Sequence, residues 1–224
     1  MTVSWPSVLE ARSWNAHLRN MMASGGRSPT GRDQRVFSDA GFWEISISGI
    51  RIHNRQEAAA YRAMIARLRT GEDILVPLPE VYTVIGARLS AAEISLSADA
   101  DLRSTQIGLT AEGVQIEAGY HLTVGDRLHV VTEIVSAPES PPLVNQLVTG
   151  GPIFKSVPLV SAASASGSYT VRILPPLRAD LSAGEPVRFR DLLVRCVLKS
   201  PEDGDLDLDL GRLGTPSLTF IESL

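Results

Sequence analysis

Only one stretch of the sequence carries a complete helical signature, and strand-like segments flank it on both sides within residues 41–79. Asn54 suits an N-cap, and Glu57 three residues on suits the return bond of a capping box. Ala58, Tyr61, Met64, Ile65 and Leu68 recur at helical spacing and give one apolar face. Arg55, Arg62, Arg67 and Arg69 fall mostly on the other faces, the last two in the final turn, where they suit the helix dipole. Gly71 then ends the helix as a C′ residue. Burying the four large apolar side chains contributes roughly 1.5–3 kcal/mol each before entropy is subtracted. That is too little for a free helix, so the pattern predicts a helix lying on a sheet. The rest of the chain reads as strands and turns, and the expected fold class is mainly β.

Taken in order, Trp5-Pro6 opens an extended segment, and Trp14, Ala16 and Leu18 alternate as in a strand from about 11 to 22. A short helix from Ser7 is the alternative. Residues 24–33 (SGGRSPTGRD) read as a turn-rich loop. Strands are expected at 34–38 and 41–52, the second alternating Trp43, Ile45 and Ile47 against Phe42, Glu44, Ser46 and Ser48, and again at 73–78 after the helix. From Ala87 the texture changes to short segments broken by Gly, Ser and Pro. Strands are expected at 94–96, 106–109, 120–124, 127–135, 169–174 and 187–189, with Gly125-Asp126 turning a hairpin. Residues 137–168 read as a long loop or flap. Six or so short strands in this region suit a small barrel. Longer strands return at 192–198, 206–210 and 218–221. The expected organisation is therefore one domain built from 1–85 and 191–224, with a barrel inserted at 86–190.

Composition narrows the function classes only a little. Of 224 residues 44% are hydrophobic and 21% charged, enough for a core and against global disorder. A net charge of -4 gives no general case for specific nucleic-acid binding. No run approaches the ~18 apolar residues of a membrane span, and the N-terminus has no apolar signal region, so a soluble, unexported protein is expected. Cys196 stands alone in an apolar run and is expected to be buried and inert. Of the 21 cationic residues only Lys155 and Lys199 are lysines. Arginine is the better residue for bidentate contact across an interface, although a GC-rich genome gives the same bias. Charge is also segregated: five arginines up to Arg35 face Glu10 and Asp33, while 202–209 holds five acids and no base.

Each candidate site meets a spacing objection. Asp205, Asp207 and Asp209 before Gly211 hint at a calcium loop, but the glycine is one position late and no glutamate closes it. Alternation with Leu206, Leu208 and Leu210 reads instead as a strand with an acidic outer face. Residues 26–31 have the glycine spacing of a phosphate loop, yet Arg32-Asp33 stands where Lys-Ser/Thr is required. His121 and His129 could face each other across their hairpin, but two histidines without a third ligand make a weak zinc site. Ser166 lacks a nucleophile elbow. Trp43 beside Phe42 reads as core rather than a sugar platform. No catalytic, cofactor or metal residue is assigned.

The pieces GGRSPTGRDQ, SDAGFWE, RQEAAAYRAMIARLRTGED, GYHLTVGDRLHVV, ILPPLRADLSAGEPVRF and GDLDLDLGRLGTPSLTFIE occur in this order. Together they resemble the distal tail (Dit-like) or tail-tip ring proteins of long-tailed bacteriophages and related gene transfer agents. The resemblance covers most of the chain except residues 1–20 and 137–168, and its motifs are structural. It implies a tail-tube-like β-sandwich with one flanking α-helix, assembling into a hexameric ring, plus a second, barrel-like β domain outside the ring. It further implies a virion protein, put together in the host cytoplasm, that joins the tail tube protein to the tail hub or tip protein and needs no cofactor or catalysis. The segregated charge adds an expectation that Arg19, Arg27, Arg32 or Arg35 meets Asp205, Asp207 or Asp209, in the same subunit or the next. The alternative is a tail-tip module binding host-surface carbohydrate, for which exposed aromatics are needed and aromatic content is only 5%. A cell-wall hydrolase would need paired carboxylates in a cleft, and none can be assigned.

Overall fold

The computed structural model describes residues 2–19, 22–27, 31, 33–37, 41–79, 94–111, 116–138, 167–200, 202–206 and 214–223. The first half holds strands β1 (Thr2–Ser4), β2 (Glu10–Arg19), β3 (Met22–Arg27), β4 (Asp33–Phe37) and β5 (Phe42–Arg51), helix α1 (Arg55–Arg69) and β6 (Asp73–Pro77). There follow β7 (Ser95–Leu96), β8 (Gln106–Ala111), β9 (His121–Val124), β10 (Arg127–Ser136), β11 (Gly167–Leu174), β12 (Leu193–Leu198) and β13 (Leu218–Glu222). Among the described residues the architecture is mainly β with one helix and includes a curled half-barrel sheet.

Period-two alternation builds the larger sheet, whose order is β1-β6-β12-β13-β5-β2. Only the β1–β6 pair is parallel. The register lines up one inward face: Trp43, Ile45 and Ile47 beside Leu218, Phe220 and Glu222, then Val194 and Cys196, then Ile74 and Val76. At Gly49 the inward phase jumps, from Ile47 to Ile50. Its φ of 66° lies in the left-handed region that glycine enters without a steric penalty. β2 makes the matching jump, turning Leu18, Ala16 and Trp14 and then Ala11 toward the core.

Helix α1 packs near β1 and β12 and buries Tyr61, Met64, Ile65 and Leu68. Asn54 Oδ1 accepts the Glu57 N–H at 2.8 Å, as a cap should. The return bond differs from the expected box: the Glu57 carboxylate accepts from the His53 N–H and from the Asn54 side chain. Thr70 is the C-cap, and Gly71 follows with φ 88° and its N–H on the Leu68 carbonyl.

The second sheet has the order β7-β8-β11-β10-β9, all antiparallel. The segment 184–188, expected in part as a strand, forms bridges instead. Its backbone bonds Ile94 and Leu96 by β7 on one side and exchanges two bonds with Thr123 of β9 on the other. It thus spans the two open edges of this sheet, satisfying backbone groups that would otherwise be left over. Strand β10 serves both cores. Leu128 and Val130 pack with the larger sheet, whereas Val131 and Ile134 pack within the smaller one.

Two expectations need correcting. Residues 22–27 were expected to run from a strand into a loop, but form β3, which pairs with β4. β1 was not anticipated as a strand at all. The proposed strand at 206–210 and the flap at 137–168 lie almost wholly outside the described residues, apart from Leu206, Ala137, Pro138, Gly167 and Ser168.

Candidate functional site

Strand β2 ends the larger sheet, and nine of its ten residues stand in register with β5 on one side. Among the described residues no strand pairs with its other side, and a sheet edge of that length is a template for another strand. The edge at the far end of the sheet, β1, has three residues. Between β2 and β5 in sequence the chain forms the β3–β4 hairpin, a separate two-stranded sheet in which Met22 stands opposite Phe37. Met22 and Val36 are 59% and 55% exposed. They belong to different cross-strand pairs, so each face of the hairpin carries an exposed apolar residue. A bare two-stranded ribbon gains little stability in water by itself.

The residues expected at a subunit contact are distributed as follows. Arg19 ends β2, and its guanidinium lies 3.5 Å from Glu44, a carboxylate shared with Lys199 at 3.2 Å. Arg27 stands in backbone register with Asp33, and the exposed Arg35 in register with Ser24. Asp205 is paired with Arg69 of the helix's last turn. Arg32, Asp207 and Asp209 lie outside the described residues. Within the chain, then, the two described ion pairs of this group join Arg19 to Glu44 and Asp205 to Arg69, not one set to the other.

The two histidines do not form a pair. Residue 121 is in register with Val130 and residue 129 with Leu122, so their side chains leave opposite faces of the hairpin. Among the described residues no group of three or more His, Cys, Asp or Glu is placed to hold a metal ion. Cys196 is fully buried; burial, reinforced by Glu222 and Asp73, pushes its thiol far up and leaves it protonated.

What the sequence reading missed is the polar seam where the two sheets meet. Glu222 occupies the last inward position of β13 and is 3% exposed. Its carboxylate accepts the Trp43 backbone N–H at 3.1 Å and lies 3.4 Å from Arg127. Burial pushes the carboxyl up, against the pull of that N–H and of Arg127 and Arg178. Trp43 donates its indole N–H to the Leu128 carbonyl at 2.7 Å, and His121 rests against its ring at 5.7 Å. Thr123 bonds both backbone groups of Leu193, and Arg195 meets Asp126 at 3.2 Å. Arg178 donates to the Gly41 carbonyl at 2.8 Å. Below it, fully buried His129 holds its Nδ1 2.8 Å from the Pro175 carbonyl. A carbonyl can only accept, so Nδ1 carries the proton. Burial, helped by Arg127 and Arg178, lowers the imidazole pKa to about 4, although the bond to Pro175 works the other way. The signal that could have found Glu222 is periodic: it follows Leu218 and Phe220 on one face of the strand.

No family model and no curated protein matches the chain. A hollow of about 250 Å³ lies beside α1, lined by Tyr61, Arg62, Ile65, Arg69, Asp205 and Leu206. The Tyr61 hydroxyl on one wall donates to the Gly204 carbonyl at 2.9 Å, and burial pushes its pKa up. Among the described residues no helix is long and apolar enough to cross a membrane.

Proposed function

We propose that the chain is a structural ring subunit of a phage-type tail, a Dit-like protein joining the tail tube to the hub or tip. The observation that carries the reading is β2, a ten-residue strand at the end of the sheet with no further partner strand among the described residues, together with a β3–β4 hairpin that exposes apolar residues on both faces. A long edge at one end of a sheet and a different, short edge at the other is the asymmetry that head-to-tail contacts use, and such contacts form a ring when the rotation between copies closes. The order of motifs shared with distal tail proteins supports the same reading. So does the concentration of arginine before Arg35 and of acid in 202–209, which suits contact between copies. On this reading the larger sheet and α1 form a tail-tube-like sandwich domain, the segment 86–190 is an inserted barrel-like domain, and the ring is a hexamer. Its partners are further copies of itself, the tail tube protein and the tail hub.

Native mass spectrometry tests it. The 24.1 kDa chain should assemble into a closed multiple of its own mass, six copies on this reading, and should dissociate as salt is raised. Met22→Asp combined with Val36→Asp should abolish assembly without changing the melting temperature, because both side chains are exposed. A chain that stays monomeric at every concentration and within a particle rules the ring out.

A further inference from the structure

The seam is crossed by polar bonds at two places, the Thr123–Leu193 and Asp126–Arg195 contacts and one corner, and the corner is the place with a buried titratable histidine. After β11 the chain turns through 175–178, and there Arg178 reaches across to the Gly41 carbonyl while the Pro175 carbonyl caps His129. Arg127 reaches Glu222 beside it, and Trp43 reaches Leu128. We propose that this corner and the seam it closes form an acid-released latch: protonation of His129 lifts the corner and lets the two sheets part, each keeping its own strands. The inference does not depend on the ring reading.

The charges around the seam set the direction. Facing His129 are the Pro175 carbonyl and the cationic, half-buried Arg127 and Arg178, so a proton on the fully buried imidazole adds a third positive charge to the cluster. Facing Glu222 are the Trp43 N–H, Arg127, Arg178 and the neutral Cys196 thiol. Among the described residues Glu222 is the carboxylate that Arg127 and Arg178 both face, with Asp73 farther along beside Cys196. The titration of Glu222 opposes the latch. A buried carboxyl with a raised pKa is relieved when it takes a proton, which favours the closed seam. The size of the effect is set by the imidazole, lowered from 6.5 to about 4, and Glu222, whose carboxyl burial raises, works against it. With the corner lifted, His129 meets water and regains an ordinary pKa near 6.5. At pH 5 the closed seam then holds it neutral while the open seam protonates it. Proton linkage shifts the open-to-closed ratio by about 30-fold relative to pH 8.

Amide hydrogen exchange of the full chain, corrected for the intrinsic pH dependence, reads this directly. Between pH 7.5 and pH 5, protection should fall at least 10-fold at 41–44, 127–131 and 174–178. Interior strand amides such as Ile45 and Val171 should keep theirs. His129→Gln can still donate to the Pro175 carbonyl but cannot titrate, and it should hold its seam protection at pH 5. Glu222→Gln removes the opposing carboxylate and should lose more protection at pH 5 than the parent chain. If His129→Gln does not fold at pH 7.5, Glu222→Gln and the parent chain decide the matter. Seam protection that is unchanged at pH 5, that falls only together with Ile45 and Val171, or that responds identically in the parent and both folded variants overturns the latch.

Discussion

Gly204 shows how much one residue can be asked to do. Its φ is 86°, and a Cβ there would come within 2.5 Å of Leu218, 2.9 Å of Ile65 and 3.0 Å of the Tyr61 hydroxyl. Two of those neighbours are core side chains with little room to retreat. Gly204→Ala should therefore cost roughly 1–3 kcal/mol from strain and overpacking together, read as a lower midpoint in urea. A change under about 0.5 kcal/mol would mean that the turn relaxes freely. The buried imidazole gives a second expectation, for global unfolding. A histidine whose folded pKa is depressed binds its proton better when unfolded, so stability falls as pH drops from about 6.5 toward 4. The full effect is roughly 3 kcal/mol, offset in part by Glu222, whose raised pKa contributes with the opposite sign at lower pH. Equilibrium denaturation at pH 7.5, 6 and 5 checks the slope, and His129→Gln should flatten it. Trp43 was legible as core from its place in the alternation with Ile45 and Ile47, and Cys196 from its apolar run. Glu222 was not: acidic and near the end of a strand, it looks solvated until the register sets it beside Cys196 and the Trp43 N–H.

Among the elements, α1 was legible nearly to the residue. Its period, its cap and its terminal glycine agree, and Asn54→Ala should cost about 1 kcal/mol, since the Glu57 N–H would lose its acceptor. Thermal denaturation checks this, and no loss would mean that the Glu57 carboxylate bonds to His53 already suffice. The strands with regular alternation were legible as well. β3 was hidden for a physical reason. Its residues, MASGGR, include two glycines and no β-branched side chain, so nothing local favours extension. It is a strand because β4 pairs with it. β1 was hidden by its three-residue length and by a partner, β6, some seventy residues away. The phase jump at Gly49 was equally invisible, because strict alternation is the rule the jump breaks.

At the scale of the whole molecule, β12 and β13 lie in the middle of the larger sheet's order, between β6 and β5, although they come last in the chain. Ending the chain at Arg190 would remove both. It would leave β1–β6 and β5–β2 as separate pairs and strip the inward face of Val194, Cys196, Leu218 and Phe220. Such a truncated protein should be insoluble or lack a cooperative transition, and a soluble, sharply melting 1–190 protein would count against this account of the core. The same interleaving has a consequence for synthesis. The smaller sheet has every one of its strands by Leu174 and its closing segment by Arg188. It can take shape while the ribosome is still at work. The larger sheet cannot, because its two central strands are the last to be made. The earliest residues, β2 and β5 among them, must wait as an exposed ribbon until β12 and β13 have been made, so a pause between Arg188 and Glu222 endangers these early strands more than the smaller sheet.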